Sequence, residues 1–132
     1  MLVVDAANVV GSRPDGWWRD RGAAARRLLK ALTEGGFDDT DVVLVVEGAA
    51  CRGVQPGTVD GVLVVLAPGS GDDEIVDVVS RAMDRTNGER PVTVVTADRG
   101  LRQRVASLGG ATVGPRWLWD RLERGRQGGG VD

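Results

Sequence analysis

The sequence predicts a three-layer α/β domain, with a mostly parallel central sheet of about five strands and helices on both faces. Three observations predict it. Short valine-rich runs recur along the chain, patterns with helical period lie between them, and 132 residues suffice for one domain with its own core. The runs are Leu2 to Val4, Val42 to Val46, Val62 to Leu66, Val92 to Val95 and Ala111 to Val113. Their apolar residues continue without alternating with polar ones, as in strands buried on both faces.

The helices follow in order. Trp18, Ala25, Leu28, Leu29 and Leu32 share one face of a first helix that ends near Gly35 and Gly36. Ile75, Val78, Val79, Ala82 and Met83 line a second, which ends before Gly88. Leu101, Val105 and Leu108 mark a third, stopped by Gly109 and Gly110, and Pro115 opens a fourth carrying Trp117, Leu118, Arg121 and Leu122. Strands alternating with helices favour right-handed parallel crossovers. The stretch from Glu47 to Gly61 has no helical period and carries glycines beside Pro56, so it reads as a loop or short irregular crossover. The domain is expected over residues 1–124, followed by a flexible tail over 125–132 that lacks apolar anchors.

Composition narrows the chemistry. The single cysteine, Cys51, excludes an intramolecular disulfide, and the absence of histidine removes the commonest zinc ligand and the usual general base. A formal charge of −2 makes the chain no polycation, so any contact with nucleic acid must be local. The apolar start, Met1 to Val4, meets Asp5 too early for a signal-peptide core, and no run is long enough to span a bilayer. A cytoplasmic location without membrane attachment is expected.

Ligands of an open parallel sheet bind outside the carboxyl ends of its strands. Acids recur at that place. Asp5 ends the first strand, Glu47 the second, Asp72 and Asp73 follow Gly69-Ser70-Gly71 after the third, and Asp98 follows the fourth through Thr96-Ala97. Asp72 and Asp98 could instead cap the helices they precede, and Glu47 could be an ordinary loop acid. Asp5 resists so plain a reading, because a carboxylate at the end of a central strand is costly to bury without a partner. Carboxylates gathered on one edge repel one another, and a hard divalent cation relieves the repulsion. The oxygen donors select Mg²⁺ or Mn²⁺, and such ions assist in-line displacement at phosphorus without histidine.

At these residues the chain resembles a known family. Val3-Val4-Asp5-Ala6-Ala7-Asn8-Val9-Val10-Gly11, Gly69-Ser70-Gly71-Asp72-Asp73-Glu74-Ile75 and Val94-Val95-Thr96-Ala97-Asp98-Arg99 together resemble the NYN/YacP-like branch of the PIN-like ribonucleases, over roughly residues 1 to 120. The resemblance implies a PIN-like sheet, one or two Mg²⁺ or Mn²⁺ ions, and endonucleolytic cleavage of RNA. It carries metal binding to Asp5 and Asp98, the acid before the second helix to Asp72, and the polar residue beside the first acid to Asn8. Asp73 is a candidate extra ligand. Glu47 departs from the pattern, which more often has aspartate there, and its longer arm reaches the metal either directly or through water.

Ser12, Arg13, Thr96 and Arg99 are candidate contacts to RNA, the arginines as bidentate phosphate ligands. Trp17 and Trp18 are candidates for the core or for base stacking. Trp117 and Trp119 are expected to pack, one of them at a candidate homodimer surface. Three other functions fit less well. A receiver-type signalling domain would want a lysine after a late strand, whereas the only lysine is Lys30; a haloacid-type phosphatase would want an acid at Ala7; dinucleotide binding would want a glycine-rich first turn. The remaining rival is a non-catalytic RNA-binding or scaffold protein on the same fold, which gains nothing from acids that repel phosphate.

Overall fold

The computed structural model describes residues 1–129, without side chains beyond Gly125. Six strands form one sheet: β1 (Leu2–Asp5), β2 (Val42–Val46), β3 (Gly57–Val59), β4 (Val62–Leu66), β5 (Thr93–Val95) and β6 (Ala111–Val113). Their order is β3-β4-β2-β1-β5-β6, and every pair is parallel except β3 with β4. The helices are α1 (Ala6–Gly11), α2 (Arg21–Glu34), α3 (Gly71–Thr86), α4 (Arg99–Ser107) and α5 (Pro115–Gly129), with single 3-10 segments at Trp17–Arg19 and Gly48–Gly53.

Strand side chains alternate between two cores. Leu2, Val4, Val42 and Leu44 face Ala25, Leu28 and Leu32 of α2 and Leu118 and Leu122 of α5. Val3, Val43, Val45 and Val94 face Ile75 and Val79 of α3 and Leu101 and Val105 of α4. Each such buried side chain stabilises the fold by about 1.5–3 kcal/mol, so the sheet can hold one costly carboxylate at its centre.

Five expected strands are present and a sixth was not foreseen. β3 and β4 form a hairpin across Asp60 and Gly61, whose positive φ values of 45° and 85° suit a tight two-residue turn. The supposed loop from Glu47 to Gly61 thus holds a 3-10 turn and an edge strand. α1 was also unforeseen, because one and a half turns leave no period to read. Trp18 is not on α2 but in the 3-10 turn before it, 51% exposed, and Trp117 is 41% exposed rather than packed. The expected tail is helical from Gly125 to Gly129, and its last residues, 130–132, lie outside the described residues. Among the described residues no helix is long and apolar enough to cross a membrane.

Candidate functional site

β1 and β5 are neighbours whose following helices lie on opposite faces, α1 on one and α4 on the other. That reversal opens a crevice at their carboxyl ends, the place where parallel α/β sheets bind ligands. Asp5 ends β1 there, 5% exposed. Its Oδ1 accepts from the Asn8 amide at 3.4 Å, capping α1, and its Oδ2 accepts from the Thr96 hydroxyl at 3.0 Å. Burial pushes its pKa up to about 6; the bonds from Thr96 and Asn8 oppose the rise, and the charges of Asp72 and Glu47 add to it.

The neighbouring strand is tied to the same point. Thr96 Oγ1 also accepts from the Asp98 amide at 3.2 Å, and the Asn8 side-chain oxygen accepts from the Ala97 amide at 2.8 Å. Asp98 caps α4, its Oδ1 accepting from the Leu101 amide at 2.8 Å. Across the crevice, Glu47 Oε2 accepts from the Gly71 amide at 2.8 Å. Gly71 suits that approach, since a Cβ there would lie 3.1 Å from the Glu47 carboxylate and press it outward. Asp72 stands in the first turn of α3, where the cap is Ser70, accepting from the Asp73 amide at 3.2 Å. Capping therefore does not account for Asp72. Burial raises its pKa, followed by repulsion from Asp98 and Glu47, while Arg104 pulls the other way.

Asp72 and Glu47 thus act on the charge of Asp5, and Asp98 and Glu47 on that of Asp72, with Asn8 and Thr96 holding the frame. The other candidates have different surroundings. Asp73 is exposed and pairs with Arg104 at 3.0 Å. Thr96, expected among the RNA contacts, is wholly buried with its hydroxyl committed to Asp5 and the Asp98 amide, so it positions acids and cannot touch RNA. Ser12 accepts from the Trp119 indole N–H at 3.0 Å, and Arg13 stacks over Trp119 at 4.0 Å while pairing with Glu123 at 3.0 Å. Both fasten the α1 end to α5 rather than reach the acids. Arg99 opens α4 beside Asp98, exposed and without an ion pair among the described residues. The residue not foreseen is Arg102, whose Nε donates to the Thr96 carbonyl at 2.9 Å and braces the β5 end. Its place three residues after Arg99 on a capped helix was the available signal.

A mostly parallel sheet delivering acids from several strand ends to the switch-point crevice defines a PIN-like fold. The chain is similar in structure to Rae1 (YacP) from Bacillus subtilis, with a TM-score of 0.75 at 18% identity over 96% of this chain and 75% of that one. The W164L mutant of the same protein gives a TM-score of 0.73 at 18% identity, covering 96% and 76%. The fold is therefore YacP-like. No protein-family model matches the sequence, and no curated protein matches it.

Proposed function

We propose that the chain is a metal-dependent endoribonuclease that hydrolyses RNA phosphodiester bonds at the acidic crevice. The observation that carries the reading is Asp5, a carboxylate buried at the end of the central strand while two acids from other elements act on its charge. An arrangement so costly to the fold has a physical purpose if a cation discharges it. The motif resemblance and the YacP-like fold point the same way.

Asp5, Asp72 and Asp98 would hold Mg²⁺ or Mn²⁺, with Glu47 from the side of α3. The donors are hard oxygens, and each Asp5 oxygen spends only one of its lone pairs on its hydrogen bond. Among the described residues no three acids stand close enough to share an ion. Sharing requires the partly or fully exposed side chains of Asp72 and Asp98 to turn inward. The ion these acids would hold would supply an activated water and offset the charge that develops on the phosphate oxygens. Asn8 and Thr96 keep the β5 end, and with it Asp98, at a fixed distance from Asp5. Arg99 supplies a guanidinium for a phosphate oxygen.

Purified protein is expected to cleave labelled single-stranded RNA with Mg²⁺ or Mn²⁺ and to stop with a chelator; cleavage that survives exhaustive chelation overturns the metal mechanism. The unconverged acids favour one rival, an RNA-binding protein without catalysis, and RNA bound but never cut with either ion would select it.

Asp72 offers a test by stability. Since Ser70 is the cap, Asp72→Asn removes charge without removing a cap. Metal-free Asp72→Asn is expected to be at least as stable as wild type. Mn²⁺ at a hundredfold excess over Kd stabilises a folded-state binder by about 2.7 kcal/mol, or roughly 10 °C in Tm for a domain of this size. Wild type should show that rise and the variant much less. Equal shifts in thermal melts of both proteins would remove Asp72 from the ligand set.

A further inference from the structure

A second concave surface lies at the start of α2. It is a cleft of about 440 Å³ whose walls carry Trp18, Arg19, Arg21, Arg26 and Arg52, with Asp20 its one acid. The concentration of arginine stands out in a chain with a net charge of −2. Asp20 is occupied as the α2 cap, accepting from the Ala23 amide at 2.9 Å. Arg19, Arg26 and Arg52 are exposed and form no ion pair among the described residues. Four guanidinium groups share one volume with a single carboxylate, Asp20, and an anion with several separated charges relieves the excess of positive charge.

The cleft is built by a backbone contact. Gly22 of α2 and Gly53 of the 3-10 turn meet so closely that a Cβ on Gly22 would lie 2.9 Å from the Gly53 nitrogen. That contact brings the arginines of α2 against Arg52, which stands far from them in sequence. Trp18 sits on the rim, half exposed, its ring in a T-shaped pair with that of Trp17 at 5.9 Å. The contact braces the indole, and its exposed half leaves aromatic surface for a base. Arg21 is shared between this cleft and an adjoining pocket of about 300 Å³ lined by Ala6, Ala7 and Glu47. A strand continued past Arg21 would enter the pocket that Glu47 lines.

We propose that this cleft binds the single-stranded RNA segment next to the scissile bond, with Arg19, Arg26 and Arg52 on consecutive phosphates and Trp18 stacked on one base. Single-stranded RNA offers both anionic phosphates for the guanidinium groups and a flat base for the one indole. The position of the scissile bond rests on the nuclease reading; the RNA contact does not.

Fluorescence anisotropy of a labelled single-stranded ribo-oligonucleotide, titrated with the 132-residue chain in chelator, tests it without cleavage. Arg26→Ala/Arg52→Ala is expected to bind at least about tenfold more weakly and to flatten the slope of log K against log salt by roughly 1.4, two single-strand phosphates at about 0.7 each. Trp18→Ala should weaken binding about five- to a hundredfold with the slope unchanged, and Trp18→Phe should restore most of it. A duplex of the same sequence should not respond to Trp18. These side chains are exposed, and unchanged circular dichroism melts will verify folding. With Mn²⁺, the arginine variant should raise KM and leave kcat within about threefold. Unchanged affinity and slope in the arginine variant overturn the cleft even if wild type cleaves RNA. Wild type that shows the binding signatures but never cleaves sinks the nuclease reading and keeps the cleft. No RNA binding by wild type at low salt overturns the cleft outright.

Discussion

Asp5→Asn and Asp98→Asn are each expected to lower RNA cleavage by at least about a hundredfold, equivalent to about 2.7 kcal/mol of transition-state stabilisation. Both acids are anchored by backbone amides and by the Thr96 hydroxyl, so asparagine changes charge more than position. Thr96→Val serves as the companion variant. It removes the hydroxyl that ties Asp5 to the Asp98 amide while keeping all the carboxylates, and it should slow cleavage by less than either acid variant. Because the Thr96 bond restrains the rise in the Asp5 pKa, its loss should also move the acidic limb of the pH–rate profile upward. Single-turnover rates with Mn²⁺ check all three. Near-normal turnover of either asparagine variant would mean that the chemistry lies elsewhere.

The second large effect is on stability without metal. Folding raises the Asp5 pKa from an ordinary 3.8 to about 6. Between those values the folded chain holds a proton that the unfolded chain has released, so stability falls as pH rises through the interval and levels off above it. A shift of about two units corresponds to about 3 kcal/mol of lost stability. Asp72 is shifted in the same direction and adds to the loss. Asp5→Asn has no proton to release. Its stability relative to wild type should therefore improve by up to about 3 kcal/mol between pH 4 and pH 7, or roughly 10 °C in Tm. The comparison cancels any constant cost of exchanging the hydrogen bonds. Urea or thermal melts in chelator across that range check it, and a difference independent of pH would show that Asp5 is not the strained group. Adding Mn²⁺ at pH 7 should narrow or reverse the difference, because the ion relieves wild type and gains little from the variant.

Sequence by itself determined the layered sheet and the acids at its edge. The uninterrupted valines of Val42 to Val46 admit few arrangements other than a strand covered on both faces, and the 3.6-residue spacing of Ile75, Val79 and Ala82 specifies which side of α3 covers it. Asp5 and Glu47 lie at or just beyond strand ends, and Asp98 follows shortly after one, whatever the strand order. The Asp60-Gly61 pair is a local turn signal as well, set within a stretch from Glu47 to Gly61 that lacks helical period.

Tertiary structure decided the partners. Thr96 meets Asp5 across 91 residues because β5 lies beside β1, and no local pattern states that order. Ser12 and Arg13 look like site residues from the motif they follow, yet α5 returns 107 residues later to place Trp119 on Ser12. Asp72 resembles a cap until the helix start at Gly71 assigns the cap to Ser70. The arginine cleft depends on Gly22 meeting Gly53, a contact between two residues without side chains. Local periodicity reflects interactions within a turn or a strand. These pairings arise from crossovers that bring distant segments into contact, so their partners become visible only in the assembled fold.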